Sequence, residues 1–86
     1  MKRLEEYCGQ LSEKANDAEF FYLLESELAF LEDAIDPYLA QSRYSSFCRD
    51  MHALFRYNII TLNDMNILTG YACDLFNETI RRFTDD

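Results

Sequence analysis

Two glycines and one proline in 86 residues are too few for a fold of short strands and tight turns. The three cysteines, Cys8, Cys48 and Cys73, are an odd number at wide spacings with no CxxC pair, and no signal peptide is expected. The chain therefore does not read as a secreted disulfide scaffold, and a reducing cytoplasm is its expected setting. No apolar run approaches the length of a membrane span. A glycine-rich phosphate loop, an EF-hand loop and a G-x-S-x-G elbow are all missing. Positive charge is also scarce, and no Lys or Arg occurs between Ala15 and Ser42.

What is present is acidic. Sixteen Asp and Glu against eight Lys and Arg give a formal charge of −8. It is unevenly placed, since residues 1–36 carry ten acids and three bases whereas residues 37–86 carry six and five. Direct binding to nucleic acid or to an anionic membrane needs a basic surface and is not expected. Acidity of this kind serves either solubility or attraction to a basic partner.

With 49% hydrophobic and 15% aromatic residues the chain can fill one core, and it is expected to form a single helical domain over residues 1–86. Apolar residues recur at helical spacing in four segments, approximately 2–16, 17–35, 37–56 and 61–83. Joined by short connections, they predict an all-α fold, a small antiparallel bundle of four helices.

The longest pattern is DAEFFYLLESELAFLEDAID, where Phe21, Leu24, Leu28, Leu31 and Ile35 form one seam and Glu25, Glu32, Asp33 and Asp36 gather opposite. In the first segment Leu4, Cys8, Leu11 and Ala15 share a side, but their stripe is out of phase with the next by about 140°. A break is expected near Asn16-Asp17, with Asn16 as N-cap and Glu19 at capping-box spacing. Asp36-Pro37 predicts a sharp corner, with Asp36 capping the third helix and Pro37 in its first turn.

In that helix Ala40, Tyr44, Phe47, Met51 and Leu54 make the seam, and the arginines 43, 49 and 56 suggest salt-bridged packing against the acidic segment. Asn58 suits a left-handed helix end. Thr61 and Asp64 have capping-box spacing at the start of the last helix, with Ile60 against Met65 as a staple. Met65, Leu68, Ala72, Phe76, Thr79 and Phe83 form its seam.

Candidate chemistry is thin. Cys48 and His52 lie on one side of a helix, as a metal site or a nucleophile pair would require, but two ligands do not close a zinc site. The only histidine is preceded at the Glu-x-x-His position by Arg49, against a di-iron arrangement. The expectation is a protein with no catalytic residues, no metal and no cofactor.

Partner-binding residues are expected among Asp17, Glu19, Glu25, Glu32, Asp33 and Asp36 on the acidic segment. Glu27 joins them because it falls inside the apolar arc and needs an exit to solvent, an arginine of its own chain, or a partner's cation. On the last helix Ile67 and Tyr71, beside Asp74, are either part of a wide buried stripe or an exposed apolar spot.

The leading expectation is an inhibitor or regulator that docks its acidic face on a basic, nucleic-acid-handling protein. In size and charge, though not in any motif, the chain is similar to DNA-mimic inhibitors such as many anti-CRISPR and anti-restriction proteins of phages. The alternative is a homodimer or larger homo-oligomer, an adaptor or scaffold subunit associating through apolar helix faces.

Overall fold

The computed structural model describes residues 3–84. It is an all-α bundle of four helical elements: a short 3-10 helix, Leu4–Gln10, then α1 (Ala18–Glu32), α2 (Pro37–Arg56) and α3 (Leu62–Thr84). No strand occurs among the described residues. The α2 and α3 helices make the broadest interface, and α1 packs across both.

Local signals explain most boundaries. Asp36 caps α2, its carboxylate accepting from the Leu39 amide at 2.8 Å, and Pro37 occupies the first turn, where no amide donor is needed. At the other end Asn58 takes the left-handed conformation, φ 61°. Thr61 and Asp64 then form the reciprocal box expected of them, with the Asp64 amide donating to Thr61 Oγ1 and the Thr61 amide to Asp64 Oδ2, both at 3.0 Å.

The core joins Leu24, Leu28 and Leu31 of α1 to Ala40, Phe47 and Met51 of α2 and Met65, Leu68, Ala72 and Leu75 of α3. Leu31 and Leu68 are completely buried. Burial of each contributes about 2 kcal/mol relative to exposure. Stacking of Tyr44 on Phe76, centroids 4.8 Å apart, extends this α2–α3 seam.

Several expectations are corrected. The first segment is not an α-helix over 2–16; residue 2 lies outside the described residues, and what forms is one short 3-10 helix followed by turns over 13–16. The segment breaks before Ser12, whose amide donates to the Asp64 carboxylate instead of to a carbonyl four residues back. Asn16 does not cap α1, which begins one residue later on Asp17, whose carboxylate accepts from the Glu19 and Phe20 amides. Asn16 Nδ2 turns back instead to the carbonyls of Cys8 and Leu11.

At its other end α1 stops at Glu32 rather than 35, and Ile35, expected in the seam, is 79% exposed. Phe21 is only half-buried, whereas Leu75, not counted in the seam of α3, is buried. No salt bridge joins α1 to α2 among the described residues. Arg43 instead lies over the Phe30 ring, 3.5 Å from its centroid, and donates to the Phe30 carbonyl at 2.7 Å.

Candidate partner-binding surfaces

Two surfaces flank α1, one on each side of its buried Leu24–Leu28–Leu31 stripe. On the first, Glu25 and Glu32 stand seven residues apart, two turns or about 10 Å along the axis. With Glu78 of α3 they line an open trough of about 480 Å³ that has Leu28 and Leu75 in its floor and Arg3 beside it. Asp33 follows, exposed, just past the helix end.

These carboxylates are left unneutralised for a structural reason. The C-terminus of α1 ends in unsatisfied carbonyls at the negative pole of the helix dipole. Arg82, which lies beside Glu32 and Glu78, donates to the carbonyl of Glu32, so it engages main chain rather than pairing with those carboxylates; on the other flank of α1, Arg43 likewise donates to the carbonyl of Phe30. Among the described residues the one ion pair is Arg3–Glu5, 3.2 Å apart and well exposed.

The second surface is the groove between α1 and α2. Two adjoining hollows, of about 320 and 260 Å³, share Glu27 and Asp50. One is walled by Phe20, Leu23, Met51 and Leu54, the other by Phe30 and Phe47. Glu27 leaves the apolar arc at the edge of the helix, exposed to solvent and without an arginine partner among the described residues. Burial and then the neighbouring Asp50 charge push its carboxyl above the ordinary range.

The other expected residues divide by role. Asp17 and Asp36 use their carboxylates as N-caps, so neither is wholly free for a partner. Glu19 and Asp74 are exposed. Ile67 and Tyr71 are half-buried against the core, and Tyr71 meets Tyr7 of the 3-10 helix edge to face, centroids 5.7 Å apart. The wide-stripe alternative therefore describes α3, and the exposed large apolar side chains lie elsewhere, Leu23, Phe30, Tyr22, Ile35 and Tyr38 among them. Leu23 and Phe30 lie beside the seam by helical spacing yet stay open, because the angular width of a buried arc depends on how far the next helix reaches around it.

Cys48 does not meet His52 in an activated pair. Its thiol is raised above the ordinary range, first by burial, with the nearby Tyr44 hydroxyl opposing the rise and Cys73 adding to it. The Tyr44 hydroxyl is itself pushed up, by burial first and then by the neighbouring Cys73 and Cys48. His52 is exposed. Among the described residues no group of three or more His, Cys, Asp or Glu side chains is arranged to hold a metal ion, and no helix is long and apolar enough to cross a membrane.

Comparison with protein-family models, with curated proteins and with solved structures finds no match in any of the three.

Proposed function

We propose that the protein is a non-catalytic interaction module that docks the acidic flank of α1 on the basic surface of a nucleic-acid-handling protein and occludes it. The observation that supports this reading is that Glu25, Glu32 and Asp33 stand exposed and unpaired among the described residues, with Arg82, the arginine beside Glu32 and Glu78, engaged on a main-chain carbonyl. Carboxylates at fixed spacing on a rigid helix present the charge pattern that a phosphate-binding groove attracts. Inhibition in the manner of a DNA mimic, as anti-CRISPR and anti-restriction proteins practise it, is the form of docking that fits a small chain of −8 charge.

The test is capture of partners by the tagged protein from lysate at low and at high salt, with identification by mass spectrometry. A basic nucleic-acid-binding protein should be held at low salt, released at high salt, and lost by a Glu25→Gln, Glu32→Gln, Asp33→Asn triple variant. Asp36 is kept, because it caps α2. Recovery of the protein alone, or of a partner indifferent to salt and to the triple variant, would overturn the reading.

A further inference from the structure

We propose that the groove between α1 and α2 is a second docking site, built to take an amphipathic helix of a protein partner with a lysine or arginine seated between Glu27 and Asp50. It lies on the opposite flank of α1 from the acidic trough and rests on the reading above only for the partner's being a basic protein.

Three observations carry it. Leu23 and Phe30 are 61% and 57% exposed on α1, large apolar surface at a spacing of two helical turns. A helix laid along the groove meets them with apolar residues at i and i+7, the register of helix-in-groove recognition. Between them the groove carries two carboxylates from different helices, Glu27 and Asp50, lining both hollows.

Like charges that face each other across a partly desolvated groove repel, and neither carboxylate has a cation partner among the described residues. A cation set between them would replace that repulsion with two attractions. Arg43, which lines one of the two hollows, is held on the Phe30 ring and carbonyl and forms no ion pair with Glu27 or Asp50. A second copy of this chain is the wrong occupant: each copy carries −8, and α1 against α1 would add two more carboxylates to the same groove. The complementary occupant is cationic and apolar by turns.

The probe is a stapled helical peptide of about four turns, with two leucines seven residues apart and one lysine midway, and a control peptide with norleucine in place of that lysine. Binding is read by fluorescence anisotropy and by amide chemical-shift changes in the labelled protein. The lysine peptide should bind saturably, shifting Leu23, Glu27, Asp50 and Leu54, and the norleucine peptide should bind about tenfold more weakly. A Glu27→Gln, Asp50→Asn variant should bring the two peptides to equal affinity, while the Glu25, Glu32, Asp33 triple variant should leave the preference for lysine intact.

Absence of saturable binding, equal affinity of both peptides for the unmodified protein, or shifts centred on the α1–α3 trough would overturn the groove. In the last case acidic docking by Glu25 and Glu32 would still stand. Groove binding that persists when the triple variant captures the same lysate partners as the unmodified protein would instead remove the acidic-flank reading.

Discussion

The carboxylate of Asp64, at the start of α3, accepts hydrogen bonds from both the amide (2.8 Å) and the hydroxyl of Ser12, 52 residues earlier in the chain. The same carboxylate takes the Thr61 amide, so one fully buried side chain both caps α3 and holds down the N-terminal segment. Asn63 Nδ2 adds a bond to the Gln10 carbonyl at 3.0 Å. Held in this way, the segment seals Leu4 and Leu11 against the bundle and covers Tyr71 with Tyr7.

Replacing Asp64 with Ala should destabilise the protein by about 3 kcal/mol, because three donors lose a charged acceptor inside the protein. Ser12→Ala should cost less, about 1 kcal/mol, since the amide bond survives. Urea denaturation measures both losses. Amide exchange should quicken over residues 10–16 in the Asp64 variant before it quickens in α2 or α3.

The pH dependence should contain two contributions of opposite sign. Burial raises the Asp64 carboxyl, but the hydrogen bonds from Ser12 and Thr61 outweigh it and the net shift is downward. Its stabilisation is therefore fully present above the ordinary carboxylate range and is lost as pH falls through the lowered folded value. Glu27 is shifted upward, so its ionised form costs stability above its raised value, and that cost vanishes as pH falls below the ordinary range. In urea titrations across this window, the gap between the unmodified protein and Asp64→Asn should narrow on acidification. Glu27→Gln should be the more stable protein at neutral pH and should lose that advantage in acid.

Arg43→Ala should lower stability by about 1 kcal/mol, from the lost Phe30 ring contact and the unsatisfied carbonyl at the end of α1. In a domain of this size that is a fall of about 4–8 °C in Tm. Arg43→Lys should recover only part of it, because an ammonium cannot lie flat on the ring while it donates to the carbonyl.

The Glu25→Gln, Glu32→Gln, Asp33→Asn triple variant should keep its stability within about 0.5 kcal/mol of the unmodified protein. All three side chains are exposed and outside the one ion pair of the described residues. Thermal unfolding at low salt checks this, and repulsion relieved by the change should move Tm upward if it moves at all. A loss of partner capture in a variant that folds this well is then a loss of binding surface.

Much of the fold was legible because its signals are local. The α2 helix runs over the predicted residues 37–56, since Asp36, Pro37 and Asn58 act on their own neighbours. The Thr61–Asp64 box was legible for the same reason, though its second duty toward Ser12 was not: nothing in the spacing of Ser12 distinguishes it from any other serine. The acidic flank was also readable, as a run of residues without Lys or Arg. Asp50 was not recognised as part of a site, because it acquires that role only by facing Glu27 across two helices.

The amino-acid sequence by itself determined that the chain is helical, where α2 and α3 start, and that α1 is acidic, because helical period and capping act over three or four residues. Tertiary structure alone decided which apolar side chains stay in the open and where the arginines go. Leu23 and Phe30 are exposed because α2 does not reach far enough around α1 to cover them, and Ile35 because α1 ends before it. Arg82 meets the end of α1, 50 residues away in the chain, since a helix terminus offers fixed, unsatisfied carbonyls. Such pairings depend on how whole helices pack, a property that no local spacing encodes.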